Sequence, residues 1–388
     1  MTSPLSGNWN YPTAVRFGAG RIGELAEACK SLGMTKPLLV TDPGLAALPM
    51  IREALSANQA AGLPTGLFSD VKPNPVGKNV EDGVEAYRAG SHDGIIAWGG
   101  GSGVDAAKAV ALMVGQSGSI WDYEDVGDNW TRVNTDAIAP VVAVPTTSGT
   151  GSEVGRASVI ANEDTHTKKV IFHPTMLPAV VICDPELVTG LPAHLTAYTG
   201  MDALVHCFEA YCAPGYHPMA DGIALEGMRL VQNWLEKAVN DGNDIEARGH
   251  MMSAAAMGAT AFQKGLGAVH SLSHPVGAVY DTHHGLTNAV FLPYVMTYNR
   301  PAIEDRMETL ARFLGLSGSG YGAVMDWIME LRNRFDIVNT AAELGVEENQ
   351  LEMLSEMAAN DPTAAGNPIP VNARDMRTMF DAAMAGRL

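Results

Sequence analysis

The sequence predicts two domains of different class: an N-terminal α/β domain over residues 1–190 and an all-α domain over residues 191–388. The chain has 388 residues, which is longer than a chain that usually folds around a single hydrophobic core. In the first half, short apolar runs alternate with helical stretches, a pattern typical of a parallel sheet covered by helices. After about Pro192 the helical stretches follow one another without a convincing strand.

Four apolar runs mark the predicted strands of the first half. They lie in PLLVTD (37–42), GIIAWGGGS (94–102), APVVAVPTTSGTGSE (139–153) and AVVICDPELV (179–188). The first run precedes a predicted helix over 51–62 that ends at Gly62, and the second precedes the predicted helix VDAAKAVALMV. The alternation therefore predicts an open parallel sheet with helices on its faces.

The second half predicts helices over 195–212, 220–239 and 251–265. The last of these carries small and apolar residues on nearly every face, which predicts a buried helix. No period typical of repeat proteins is present, and the tail 366–388 carries no interpretable motif.

Composition and charge narrow the functional class. The formal net charge of −18 disfavours binding to nucleic acid or to an anionic membrane surface. No apolar run is long enough to cross a membrane, and the N-terminus lacks the basic and apolar regions of a signal peptide. Four cysteines are too few for a disulfide framework, and Cys207 and Cys212 lack a second pair for a zinc knuckle. We expect a cytoplasmic protein with reduced thiols.

Two small-residue loops follow predicted strands. Gly99-Gly100-Gly101-Ser102 lies between a strand and a helix, where backbone N–H groups approach a phosphate. The loop departs from the GxGxxG pattern, and a purely structural glycine turn is the alternative. The second loop, over 145–152, offers several hydroxyls for a pyrophosphate or a ribose, and a solvated loop is its alternative. Both lie where open α/β sheets bind ligands, at the carboxyl ends of strands.

Asp42 ends the first predicted strand. A carboxylate there accepts hydrogen bonds from ribose hydroxyls and repels a 2′-phosphate, which favours NAD over NADP. The alternative is that Asp42 starts the turn Asp42-Pro43-Gly44, a combination common in turns.

Acidic and imidazole side chains cluster in the predicted helical domain. Asp202 and His206 are four residues apart and share one helix face, and so do His270 and His274. His283 and His284 follow in DTHHG. Carboxylate and neutral imidazole suit Fe²⁺, Zn²⁺, Mn²⁺ or Co²⁺, and an open site with nitrogen and oxygen ligands is more often catalytic than structural. For each histidine alone, a hydrogen-bonded core or surface role is the alternative.

Four long stretches resemble the iron-containing (group III) alcohol dehydrogenases, in order along nearly the whole chain. They are GGGSGVDAAK, VPTTSGTGSE, CDPELVTGLPAHLTAYTGMDALVHCFEAY and GLGAVHSLSHPVGAVYDTHHGLTNAVFLP. The resemblance implies the dehydroquinate synthase-like fold, with an N-terminal dinucleotide-binding domain and a C-terminal metal-binding helical domain. It also implies a homodimer or a larger homo-oligomer.

The resemblance assigns residues to both sites. It implies one divalent ion, Fe²⁺ or alternatively Zn²⁺, bound by Asp202, His206, His270 and His284, with His274 near the substrate. It implies NAD-binding residues Asp42, Asn74, Gly100, Gly101, Ser102, Thr146, Thr147, Thr150 and Lys168.

The loop after the second glycine-rich stretch departs from one branch of the family. Ala157 stands where that branch has an asparagine that reaches toward the cofactor, so we expect that contact to be lost. Arg156 is similar to an arginine in the corresponding loop of 4-hydroxybutyrate dehydrogenases, and AFQKGLG and HSLSHP resemble that branch too. A guanidinium here could bind a substrate carboxylate bidentately. The alternative is a surface arginine paired with Glu153 or Asp164.

The resemblance implies an NAD-linked, metal-dependent dehydrogenase for a small primary alcohol or a short ω-hydroxy acid such as 4-hydroxybutyrate. A bound cation lowers the pKa of the alcohol, nicotinamide accepts the hydride, and His274 relays the proton. The alternatives are a hydroxyacid–oxoacid transhydrogenase, a metal-dependent lyase or cyclase of the same fold, and a non-enzymatic binding or filament-forming role.

Overall fold

The computed structural model describes residues 13–165 and 167–388 and divides into two compact units. The sheet unit comprises the described residues up to Leu191 together with 242–252. The helical unit comprises 192–241 and 253–388. No helix in the described ranges is both long enough and apolar enough to cross a membrane.

The sheet unit contains eight strands within its described residues. They are β1 (Ala14–Phe17), β2 (Leu38–Val40), β3 (Gly66–Phe68), β4 (Ile95–Gly99), β5 (Val141–Pro145), β6 (Ala157–Asn162), β7 (Thr167–Phe172) and β8 (Val180–Cys183). Six of them form a parallel sheet in the order β3-β2-β4-β5-β8-β1, and β6 and β7 form a separate antiparallel ribbon.

Burial on both faces explains the composition of the central strands. Every residue of β4 and β5 is buried, as expected when helices cover both sides of a parallel sheet. The helices of this unit are α1 (Leu25–Ser31), α2 (Pro43–Ala46), α3 (Pro49–Ala60), α4 (Gly77–Ala89) and α5 (Gly101–Met113). Trp98 of β4 and Val144 of β5 belong to a core cluster with Leu25 of α1 and Ile51 of α3.

The strand order reverses between β2 and β4. The chain runs outward from β2 to β3, and then crosses back to place β4 on the other side of β2. Ligands of open α/β sheets bind outside the carboxyl ends of the strands at such a reversal. Asp42 follows β2 and the Gly99–Ser102 loop follows β4, so both sequence-predicted elements lie at this point.

The helical unit is built from long helices that bury most of their faces. Its helices are α6 (Ala193–Cys212), α7 (Pro218–Asn240), the part of α8 (Ile245–Ala261) from Ser253 onward, α9 (Ala268–Tyr280), α10 (His284–Leu314), α11 (Gly320–Arg334), α12 (Leu351–Ala359) and α13 (Ala373–Ala385). Along α6, every residue from Gly200 to Cys212 is buried. A helix that is buried on every side lies inside a protein, so this part of α6 belongs to the core of the unit, and its polar side chains are buried with it.

The structure confirms the predicted fold class and the main elements of both halves. The predicted buried helix over 251–265 is confirmed up to Ala261, after which a single 3₁₀ turn follows at Phe262–Lys264. Among the elements that the sequence analysis did not name are the strands β1 and β3, the β6–β7 ribbon, and the helices α1, α4 and α10 to α13. β1 is largely exposed and β3 is three residues long, so neither carries the apolar run that marked the other strands.

Candidate metal centre and dinucleotide loops

Four predicted ligands meet in the helical unit. Asp202 and His206 lie on α6, His270 lies on α9, and His284 is the first residue of α10. One ligand atom from each lies within 4.8 Å of all the others. A divalent ion makes bonds of about 2 Å to imidazole nitrogen and carboxylate oxygen, so this donor set and spacing fit a single borderline ion.

Glycines allow the helices to approach closely around these ligands. A Cβ at Gly258 of α8 would lie 2.9 Å from the Cβ of His206. A Cβ at Gly285 of α10 would lie 2.2 Å from the carbonyl oxygen of Tyr198 and 3.1 Å from the Cβ of Asp202. All three neighbours belong to α6, so the missing side chains let α8 and α10 reach the helix that carries two ligands.

Two further side chains orient the ligands. Glu209 Oε2 accepts a hydrogen bond from His270 Nδ1 at 2.5 Å, which leaves Nε2 as the atom that faces the cluster. Burial alone lowers the pKa of His270, but the hydrogen bond and negative charge of Glu209 outweigh burial and leave this pKa raised. Asn288 Nδ2 donates to Asp202 Oδ1 at 2.8 Å and lies within 3.2 Å of Nε2 in both His270 and His284.

His274 lies one turn after His270 on α9 and is half-buried. Its Nδ1 lies 2.8 Å from Asp361 Oδ2, and its ring stacks on His284 with centroids 5.5 Å apart. Burial raises the pKa of Asp361, but the charge of His274 and hydrogen bonds from His274 and Thr363 bring it below its ordinary value. This imidazole–carboxylate pair beside the cluster can bind and release a proton.

The structure adds three residues that sequence reasoning missed: Glu209, Asn288 and Asp361. Glu209 follows His206 by three residues on α6, and Asn288 follows His284 by four on α10, so helical spacing offered a signal for both. Asp361 lies 87 positions from its partner His274, and no local pattern marks it. His283 is not one of the four clustered ligands, and its ring packs against Tyr198 at 5.3 Å.

The two small-residue loops of the sheet unit touch each other. Thr146 N donates to Gly99 O at 2.9 Å, because β4 and β5 are adjacent parallel strands. A Cβ at Gly101 would lie 2.5 Å from Thr150 Oγ1, and one at Gly100 would lie 3.0 Å from Thr147 Cγ2. Gly100 is the N-cap of α5 and has no side chain to cap the helix, so backbone N–H groups of the first turn can face an anion.

The remaining predicted cofactor residues lie around these loops. Ser102 Oγ donates to Pro73 O, which brings the segment of Asn74 beside the start of α5. Ala161 of β6 bridges to Val76 and pairs with Lys168 of β7, so the Asn74 segment and Lys168 flank one strand.

Asp42 serves as the N-cap of α2. Its Oδ1 accepts a hydrogen bond from Leu45 N at 2.9 Å, so the turn interpretation of this residue is correct. A carboxylate has a second oxygen, and capping therefore leaves an acceptor for a ribose hydroxyl.

Buried charges of α5 fix the segment around Arg156. Lys108 Nζ donates to Ser152 O at 2.9 Å and to the carbonyl of Ala157, and Asp105 Oδ2 accepts from Val159 N at 3.0 Å. Burial lowers the pKa of Lys108 although the charge of Asp105 opposes this.

Arg156 is half-buried, with its guanidinium carbon 5.6 Å from the centroid of the Phe172 ring. Within the described ranges, Arg156 forms no ion pair with Glu153 or Asp164, and its one described contact of this kind is with the Phe172 ring.

Comparison with known proteins agrees with this architecture. Residues 12–185 match the family model described as iron-containing alcohol dehydrogenase, and residues 196–384 match that of the C-terminal region of the same family. The 4-hydroxybutyrate dehydrogenase of Cupriavidus necator is 39% identical over 96% of this chain and 99% of its own length. The NAD-dependent methanol dehydrogenase of Bacillus methanolicus is 36% identical over 97% of this chain and 100% of its own length.

A solved structure shows the same fold. The crystal structure of a 1,3-propanediol oxidoreductase superposes with a TM-score of 0.92 at 35% identity, covering 97% of this chain and 100% of that one. Both halves of the chain match the family, and the relatives align over nearly their full lengths. The chain is therefore an oxidoreductase that belongs to the iron-containing alcohol dehydrogenase family.

Proposed function

We propose that the protein is an NAD-linked, metal-dependent dehydrogenase that interconverts a short ω-hydroxy acid, with 4-hydroxybutyrate as the first candidate, and its aldehyde. The observation that carries the proposal is the cluster of one carboxylate and three imidazoles within 4.8 Å. The ion is Fe²⁺ in this proposal, with Zn²⁺ as the alternative, because the donor set accepts both.

The proposal divides the work between the two units. The helical unit binds the ion through Asp202, His206, His270 and His284. The sheet unit binds NAD through the loops after β2, β4 and β5, which lie at the carboxyl ends of parallel strands. When bound, the ion supplies Lewis acidity toward the alcohol oxygen and NAD accepts the hydride.

His274 is the residue that moves the proton in this proposal. Asp361 accepts from its Nδ1, which orients the ring and leaves Nε2 to take up and release a proton. Its position one turn from His270 on α9 supports this role, because the ring then lies beside the four clustered ligand side chains.

Arg156 supports the choice of a hydroxy acid. Its guanidinium lies over the Phe172 ring and forms no ion pair with a described carboxylate, so its donors can bind an external one. The identity of 39% with a protein named 4-hydroxybutyrate dehydrogenase points to the same substrate class.

The test compares two alcohols and three proteins. The protein is purified anaerobically, stripped of metal and reconstituted with Fe²⁺ or Zn²⁺, and NADH formation is followed with 4-hydroxybutyrate and with 1-butanol. Arg156→Gln is compared with wild type and with Arg52→Gln, which removes an exposed guanidinium from α3 of the same unit. Loss of a charge-assisted hydrogen bond of about 1.5–3 kcal/mol predicts a roughly 10- to 150-fold loss of kcat/KM for 4-hydroxybutyrate in Arg156→Gln alone, with 1-butanol unaffected.

The other outcomes separate the parts of the proposal. Equal losses for both alcohols would mean that Arg156 does not bind the carboxylate. Turnover of butanol well above that of the hydroxy acid would support the dehydrogenase activity but contradict a hydroxy acid as the substrate. If neither alcohol forms NADH with either metal, the dehydrogenase is wrong, and exchange between a hydroxy acid and an oxo acid without added NAD would indicate a transhydrogenase.

A further inference from the structure

The N-terminus of α9 has no capping side chain of its own. Its N-cap is Gly267, and the first helical N–H groups are bound by side chains from elsewhere in the helical unit. Asn367 Oδ1 accepts from Ala268 N at 3.1 Å, and Glu209 Oε1 accepts from Val269 N at 2.7 Å. Glu209 is only 5% exposed, so its charge is placed inside the protein at the positive end of a helix.

The second oxygen of the same carboxylate binds a metal-ligand candidate. Glu209 Oε2 accepts from His270 Nδ1 at 2.5 Å, and His270 is the third residue of α9. One carboxylate therefore fixes both the start of this helix and the imidazole ring that the helix presents. These two hydrogen bonds offset the desolvation of a buried charge.

The fold makes room for this contact. A Cβ at Gly267 would lie 2.9 Å from Glu209 Oε1, so glycine at this position lets the carboxylate reach the helix end. Glu209 lies seven residues after Asp202 and three after His206 on α6, which places all three on one helix face. The carboxylate thus joins the helix that carries two ligands to the helix that carries the third.

We propose that Glu209 is a positioning residue that sets the affinity of the centre for its divalent ion, an inference that rests on the proposed metal-dependent function. By accepting from Nδ1, Glu209 fixes the tautomer of His270 in which Nε2 carries the lone pair, and it raises the basicity of that nitrogen. By capping α9, it also fixes where the ring stands relative to Asp202 and His206.

The experiment measures metal binding rather than turnover. Apoprotein of wild type and Glu209→Gln is loaded with Zn²⁺ in competition with a chelator of known affinity, and the visible spectrum of the Co²⁺-loaded proteins is recorded. Glutamine keeps the size of the side chain, but it has one acceptor oxygen for two donors. We expect Kd for Zn²⁺ to rise about 10- to 100-fold, with an altered Co²⁺ spectrum. The matched control is Glu226→Gln, which removes a carboxylate paired with Arg229 on the neighbouring helix α7.

A second variant covers the case in which Glu209→Gln does not fold. Gly267→Ala keeps every hydrogen-bonding group but places a Cβ 2.9 Å from Glu209 Oε1 and 3.0 Å from Asn367 Oδ1. Because both acceptors at the helix end must then shift, Kd is expected to rise in the same direction. If wild type binds Zn²⁺ and either folded variant matches it within about 2-fold, the inference is wrong while the proposed function stands. If wild-type apoprotein binds neither Zn²⁺ nor Co²⁺, the proposed function is wrong and the inference falls with it.

Discussion

Glu153 is a buried carboxyl group whose ionisation should shape the pH dependence of stability. It lies on a short 3₁₀ turn, Ser152–Val154, directly after the second small-residue loop, and it is 4% exposed. Burial raises the pKa of Glu153 to about 7, and the positive charge of Lys108 only partly opposes this.

The protein should lose stability as Glu153 ionises, because protonation of this group is linked to folding. Because the pKa of Glu153 is raised in the folded protein, the folded state binds this proton more tightly than the unfolded state does. The resulting stabilisation is fully present below the ordinary pKa of 4.5 and is lost as the pH rises through about 7. A difference of about 2.5 between the two pKa values corresponds to about 3 kcal/mol.

Glu153→Gln removes this titration while keeping the size of the side chain. We expect the free energy of unfolding of wild type relative to the variant to fall by about 2–3 kcal/mol between pH 5 and pH 8.5. The assay is urea unfolding followed by tryptophan fluorescence across this range. Glu186→Gln controls for the loss of one exposed carboxylate from the same unit. Parallel pH profiles for wild type and Glu153→Gln would refute the reasoning.

Three further substitutions test the sheet unit. Lys108→Met leaves the carbonyl groups of Ser152 and Ala157 without the donor that binds them. The free energy of unfolding, measured in urea, should fall by about 3–5 kcal/mol, and a loss below about 1 kcal/mol would contradict this role. Asp42→Asn retains a capping oxygen for α2 but removes the negative charge. The Kd for NADP⁺ divided by the Kd for NAD⁺, both measured by calorimetry, should therefore fall roughly 10-fold. An unchanged ratio would exclude charge repulsion between Asp42 and the 2′-phosphate. Gly101→Ala places a Cβ 2.5 Å from Thr150 Oγ1 and should weaken NADH binding, measured by fluorescence, about 10-fold, whereas Gly23→Ala, which meets open space, should not.

The sequence predicted the elements whose burial is continuous. β4 and β5 are buried at every position, so their apolar runs stand out against the glycines and prolines that follow them. The spacing of Asp202 and His206 showed a shared helix face, since four residues make about one helical turn.

The features of the site that were not predicted from the sequence depend on contacts between residues far apart in the chain. Glu209 reaches His270 across 61 residues and Asp361 reaches His274 across 87, and no local pattern relates either pair. The β6–β7 ribbon carries mostly half-buried residues rather than a continuous apolar run, so periodicity gave it no distinct signal. The turn at Asp42-Pro43-Gly44 is predictable from sequence, because short turns are specified by neighbouring residues, and in the structure Asp42 caps α2 there.

Three acidic side chains each accept one hydrogen bond from a backbone N–H and one from another side chain. Glu209 accepts from Val269 N and from a ligand imidazole, and Asp361 accepts from a backbone N–H and from His274. Asp105 likewise accepts from Val159 N and from a serine hydroxyl near the Arg156 segment. A buried carboxylate is costly unless its oxygens are hydrogen-bonded, so each one strongly favours the backbone arrangement that supplies both donors.

That preference explains why carboxylates rather than apolar contacts occupy these places. Apolar packing tolerates small shifts of a side chain, whereas a two-donor carboxylate loses much of its compensation when either donor moves. Metal ligands and proton carriers require placement within about 0.5 Å, and second-sphere carboxylates supply it. We therefore expect substitutions at these three acids to disturb binding and turnover more than substitutions at apolar residues buried beside them.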